Sequence, residues 1–128
     1  MSHIATCSCG QLKVTYNGEF ARTAVCHCFD CQKRTGSAFG YQTRVETAKI
    51  VVEGKSTVFQ KRNEGLTTFH FCPTCGSTVY WNNEGLPGST IIAIGNFTDP
   101  TLPGPTFMVY GNRKHHWVNR PDTAIEYF

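Results

Sequence analysis

Phe71-Cys72-Pro73-Thr74-Cys75-Gly76-Ser77 is the stretch on which the fold turns. Two thiols separated by two residues on a tight turn can reach one metal ion together. Gly76, directly after the second thiol, permits positive φ and lets backbone N–H groups approach sulfur. Residues 66–71 before it and 78–81 after it are rich in Thr, Phe, Tyr and Val, the composition of strands. The motif therefore reads as a short metal-binding connection between two strands.

Working outward, the same β character recurs. Residues 49–53 and 56–60 flank Gly54-Lys55 and predict a hairpin about a two-residue turn. Residues 11–16 alternate polar and apolar, as a half-buried strand does, and Asn17-Gly18 ends them as a turn. Residues 37–45, 90–94 and 106–110 predict three further strands. The only helix signal is one short stretch at 28–35. The segment 95–105, with Gly95, Pro100, Pro103, Gly104 and Pro105, reads as irregular. The expected fold class is mainly β, with small sheets clamped by zinc, in a single domain over residues 1–128.

Hydrophobic residues make up 40% and charged residues 16%, which excludes a disordered chain. No apolar run reaches the roughly 18 residues of a spanning helix. The first residues show no basic region followed by an apolar stretch, so no signal peptide is expected and the predicted location is cytoplasmic. Seven cysteines cannot all pair as disulfides, and a reducing compartment disfavours such pairs. They fall into three tight groups: Cys7 with Cys9; Cys26, Cys28 and Cys31; Cys72 with Cys75. Such spacing predicts zinc ligation. The ligand is the thiolate, so seven thiolates and two zinc ions would cancel the formal charge of +3. With no Lys/Arg run either, nucleic-acid binding is not expected.

A closed zinc site takes four protein ligands, and a site with three keeps one position open. Cys26, Cys28 and Cys31 lie close enough to wrap one ion, which leaves Cys7, Cys9, Cys72 and Cys75 for a closed site. The rival division joins Cys28 and Cys31 to Cys72 and Cys75 as a zinc ribbon. It puts 40 residues between the pairs, against about 15–20 in a ribbon.

Three motifs carry a resemblance. The run from Cys26-His27-Cys28 through Cys31 to Gly36-Ser37-Ala38-Phe39 looks like the signature of the glutathione-dependent formaldehyde-activating family, which includes centromere-protein-V-like members. Phe71 to Ser77 and Cys7-Ser8-Cys9-Gly10 resemble its other two signatures, and residues 94–100 and Trp117 add to the likeness. The resemblance implies a Mss4-like fold of small β-sheets. It also implies a structural zinc on Cys7, Cys9, Cys72 and Cys75 and a catalytic zinc on Cys26, Cys28 and Cys31. The implied partners are a small thiol such as glutathione and an aldehyde. Where many members carry a His near the last strand, this chain has Met108, read here as core filler.

Zinc bound by three thiolates suits activation of another thiol better than production of hydroxide. The expected activity is that of a carbon–sulfur lyase, forming or cleaving S-hydroxymethylglutathione or a similar adduct. His27 is the nearest proton-donor candidate by sequence, against a simpler reading as a packed spacer. Asp30 and Lys33 read as exposed, and His115-His116 as surface histidines. Arg34 and Arg44 match carboxylates of a peptide-like thiol in chemistry, although each is more simply a solvated arginine. Phe39, Tyr41, Trp81 and Phe97 read as core before pocket. The alternative to an enzyme is a non-catalytic zinc module for partner or nucleic-acid binding; a redox-sensing thiol cluster is the third reading.

Overall fold

The computed structural model describes residues 2–127, the side chain of Tyr127 excepted; Met1 and Phe128, part of the expected 1–128 domain, lie outside the described residues. The strands are β1 (Ser2–Thr6), β2 (Lys13–Asn17), β3 (Thr23–Cys26), β4 (Gly40–Glu46), β5 (Ile50–Glu53), β6 (Thr57–Arg62), β7 (Leu66–Phe71), β8 (Thr78–Asn83), β9 (Ser89–Ala93), β10 (Phe107–Val109) and β11 (Ile125–Tyr127). Among the described residues there is one α-helix, α1 (Phe29–Thr35), between β3 and β4, besides three single turns of 3-10 helix. The protein is mainly β, as expected.

The strands form two sheets. A three-stranded antiparallel sheet has the order β1-β2-β5, and an eight-stranded sheet the order β11-β10-β3-β4-β9-β8-β7-β6. Within the larger sheet only β10 runs parallel to its neighbours, β3 and β11. Val14 and Tyr16 of the small sheet pack with Val45, Val79, Tyr80 and Ile92 of the large one, together with Ala5, Leu12 and Phe97. Alternation along β4 sends Thr43 and Val45 into this core, and Gln42 and Arg44 to the opposite face. That opposite face carries the candidate site.

The expected hairpin at 49–60 is corrected by the pairing. Both strands form, but β5 pairs with β2 (Tyr16↔Ile50 to Lys13↔Glu53) and β6 pairs with β7. Gly54 sits where the chain leaves one sheet for the other. Its φ is 93°, and a Cβ there would overlap the carbonyl oxygen of Gln11. Residue pattern encodes a strand's faces but not its neighbour. Strands β1, β3 and β11 carry no clear signal of their own and are held by their ladders.

The predicted connection is present: β7 and β8 pair antiparallel across residues 72–77. The helix begins with Cys28 as its N-cap, whose Sγ accepts the N–H of Cys31 at 3.3 Å. It ends at Gly36 in the left-handed region (φ 63°), where the Gly36 N–H reaches the Gln32 carbonyl at 2.8 Å. Among the described residues, no helix is long and apolar enough to cross a membrane.

Candidate metal centres and the adjoining cleft

Two turns bring four thiols together. In the first, Gly10 N–H bonds the Cys7 carbonyl at 3.1 Å and Cys7 N–H bonds the Leu12 carbonyl at 3.0 Å. In the second, Gly76 N–H bonds the Cys72 carbonyl at 2.8 Å. Gly10 and Gly76 both have positive φ, 85° and 83°, as each turn requires. The Sγ atoms of Cys7, Cys9, Cys72 and Cys75 all lie within 4.8 Å of one another. Cys9 Sγ is 3.6 Å from both Cys7 Sγ and Cys72 Sγ. A tetrahedron with zinc–sulfur bonds of about 2.3 Å has edges of about 3.8 Å, so the donor set fits a zinc-sized ion.

Donors surround these sulfurs. Cys72 Sγ accepts Gln11 Nε2 at 3.0 Å and the Thr74 N–H at 3.3 Å. Gln11 also bonds Lys55 through both ends of its amide, which ties the β5–β6 connection to the cluster. Burial acts to raise the Cys72 pKa, but the Cys75 N–H, Gln11 and the Thr74 N–H together bring it down to about 7. The Ser77 and Cys9 N–H groups, with the Ser77 hydroxyl, hold Cys75 down at about 5. The knuckle at 72–75 is thus built to carry thiolate charge.

Cys26, Cys28 and Cys31 form the second cluster, again with all Sγ atoms within 4.8 Å. Cys26 closes β3, Cys28 caps α1 and Cys31 lies in its first turn. Cys26 is buried; Cys28 and Cys31 are half-buried. Hydrogen bonds from the Cys26 and Cys31 thiols, with N–H groups at the helix start, drive the Cys28 pKa far below the ordinary thiol range. The same pairing pushes Cys26 up. Among the described residues no fourth Cys, His, Asp or Glu joins this group. The zinc-ribbon division does not form, since Cys28 and Cys31 share no cluster with Cys72 and Cys75.

The three thiols line a cleft of about 440 Å³. Gln42, Trp81 and Ile91 of the large sheet wall it, and Lys61 at the end of β6 with Asn63 and Glu64 of the β6–β7 turn form an overhang on its rim. Two latches join that overhang to the thiol side. The Asp30 carboxylate on α1 accepts from Lys61 Nζ and from Asn63 Nδ2, the latter at 3.0 Å. The Tyr110 hydroxyl donates to Glu64 Oε2 at 2.6 Å. Both residues of this second latch are left-handed, Glu64 at φ 53° and Tyr110 at φ 56°. Such non-glycine conformations cost about 1–3 kcal/mol each and gather at functional sites. The Glu64 bond, with burial, pushes the Tyr110 pKa up to about 12.

The weaker sequence candidates separate here. His27 is fully buried, packs its ring on Phe39 at 5.4 Å and does not line the cleft. Neither ring nitrogen meets a partner at good hydrogen-bond geometry, and burial lowers its pKa against a weaker opposing pull from the Ala38 backbone. Lys33 is exposed, but Asp30 is half-buried and latched. His115 and His116 are exposed; His115 Nε2 meets Gln32 Oε1 at 3.0 Å. Met108 is 1% exposed, core filler as read. Phe97 is core, Tyr41 donates to the Pro103 carbonyl, and Trp81 is a cleft wall. Arg44 bonds Ser89 Oγ at 3.2 Å, whereas Arg34 lies in the cleft over Trp81. Lys61, which its sequence setting beside Arg62 reads as solvated surface, lies in the cleft on Asp30, and Asn63, Glu64 and Tyr110 went unread because nothing local marks them. They come to the cleft of the three thiols only through the tertiary fold.

Two thiol clusters that could hold metal ions, consistent with zinc, sit on a mainly β frame, and one of them opens on a cleft. The chain belongs to the glutathione-dependent formaldehyde-activating enzyme family, whose model matches residues 2–113 and so spans all seven cysteines. No curated protein matches it. Among solved structures it is similar to the crystal structure of a Rhodobacter sphaeroides protein, at 20% identity and a TM-score of 0.60, over 73% of this chain and 85% of that one. At that identity the likeness is one of fold.

Proposed function

We propose that the protein is a zinc-dependent carbon–sulfur lyase that forms or cleaves a thiol–aldehyde adduct such as S-hydroxymethylglutathione. The carrying observation is the three-thiol cluster that opens on a cleft and that no fourth Cys, His, Asp or Glu joins among the described residues. Family membership supports the same reading. In this proposal Cys7, Cys9, Cys72 and Cys75 hold a structural zinc that stitches the two sheets, and Cys26, Cys28 and Cys31 hold the catalytic one. Held by those three thiols, zinc would supply Lewis-acid chemistry that favours the thiolate form of an incoming thiol at neutral pH.

The remaining work falls to the chain. Trp81 and Ile91 keep one wall of the cleft dry. As the thiolate sulfur bonds the aldehyde carbon, the carbonyl electron pair moves to oxygen, which needs a proton. The Tyr110 hydroxyl, bonded to Glu64, is the cleft group proposed to relay it: the proton lost by the thiol passes to the Glu64 carboxylate and through Tyr110 to that oxygen. In reverse the adduct's hydroxyl proton passes to Tyr110 as the Tyr110 proton passes to the Glu64 carboxylate, and the carbon–sulfur bond breaks. Residues 1–128 act as one domain in the cytoplasm, where small thiols stay reduced. The test is exchange NMR of formaldehyde with glutathione. Protein carrying zinc should accelerate adduct exchange over the spontaneous rate. No acceleration with glutathione or other thiols would leave the non-catalytic zinc module as the better reading.

A further inference from the structure

Arg34 stands apart from every other charged group in the cleft. Asp30 is held by Lys61 and Asn63, and Glu64 by Tyr110. Those bonds occupy both cleft carboxylates and the cleft lysine. Arg34 has no carboxylate within 4.0 Å among the described residues. Its Nε is buried without a hydrogen-bond partner, and Nη2 makes one long contact, 3.5 Å, to Gln42 Oε1.

The position is built rather than incidental. The guanidinium lies over the Trp81 ring, Cζ 4.3 Å from its centroid. Gly40 makes the room: a Cβ there would stand 2.7 Å from Arg34 Nη2 and 3.2 Å from the Cys31 Cβ. Gly40 does not have positive φ, so its lack of a side chain serves space, not backbone conformation. Arg34 follows Cys31 by three residues on α1, which puts their Cβ atoms about 5–6 Å apart on one helix face. A guanidinium is planar and presents a fork that matches a carboxylate.

We infer that Arg34 is a specificity-determining residue that binds a carboxylate of the incoming thiol, so that the cleft selects thiols bearing a carboxylate a few bonds from sulfur. This rests on the thiol–aldehyde reading above and names the substrate class of that cleft. The competing role for Arg34 is to offset the negative charge of the three-thiol cluster.

The experiment compares 3-mercaptopropionate with 3-mercaptopropionamide, which share size and thiol. Calorimetry on zinc-loaded protein gives the ratio of their affinities. Wild type should favour the acid, and Arg34→Gln should reduce the ratio about 10- to 100-fold, the worth of a charged hydrogen bond. Gly40→Ala keeps the charge but crowds Nη2, and should also reduce the ratio; it serves as a second route if Arg34→Gln folds poorly. Zinc content is measured on each. A wild type with no preference, or a ratio unmoved by both substitutions, overturns the inference. An equal fall for acid and amide with loss of zinc shows the charge-offsetting role and overturns it too. Formaldehyde exchange, followed separately with both thiols, tests the lyase reading. Acceleration without acid preference sinks only the present inference, and acid preference without acceleration sinks only the lyase.

Discussion

At position 27 the neighbours in sequence are metal-binding thiols, yet the ring faces Phe39 and the interior. Adjacent residues on an extended backbone point to opposite sides, so flanking cysteines do not bring a side chain to their site. His27→Leu removes two buried nitrogens that meet no partner at good hydrogen-bond geometry, a change that is often neutral or stabilising. It should melt within a few degrees of wild type, keep its zinc and retain adduct exchange; a loss of exchange with zinc in place would make His27 the proton donor after all. Tyr110 should behave in the opposite way. Tyr110→Phe removes only the hydroxyl, and exchange should fall about 100-fold with zinc content unchanged. An unchanged rate would remove Tyr110 from the mechanism.

Among the elements, the β5–β6 connection bears most on the four-thiol cluster. Gly54 passes against the Gln11 backbone, and the Gln11 side chain bonds both Lys55 and Cys72. Gly54→Ala meets a steric overlap and a strained φ, and should cost about 2 kcal/mol or more in denaturant unfolding. A cost below that of an ordinary surface change would show the crossing to be slack. The two turns of that cluster join residues 7–9 to residues 72–75, whereas the three-thiol cluster closes almost no loop. Structural zinc contributes on the order of 10 kcal/mol in small domains, and long closures gain most from being tied. Cys75→Ser should therefore lose much of the folded protein. Cys28→Ser should lose zinc and exchange activity but melt near wild type. Thermal melts and zinc assays of the two, run together, check this; equal collapse would show that both clusters hold the fold.

For the molecule as a whole, the expected metal content is close to two zinc ions per chain. A mild chelator should remove the three-thiol zinc first, because three protein ligands release an ion more readily than four. Elemental analysis before and after chelation, with circular dichroism to follow the fold, measures both. A reproducible content near one would remove the second site and the proposed chemistry with it.

The sequence by itself determined the β class, the knuckle at 72–77 as a link between two strands, and the sorting of seven cysteines into close groups. All of these are local: strand character lies in residues two apart, and a turn places thiols two or three residues apart on one ion. It also left Arg34 as a choice between solvent and carboxylate. The tertiary structure alone decided that β5 joins β2, that His27 turns inward, and that Arg34 lies on Trp81 in the space left by Gly40. It alone brought Lys61, Asn63, Glu64 and Tyr110 to the cleft that the three thiols line. Each of these depends on which strands lie side by side, and that is settled by packing between segments far apart in the chain, which no short window of residues encodes.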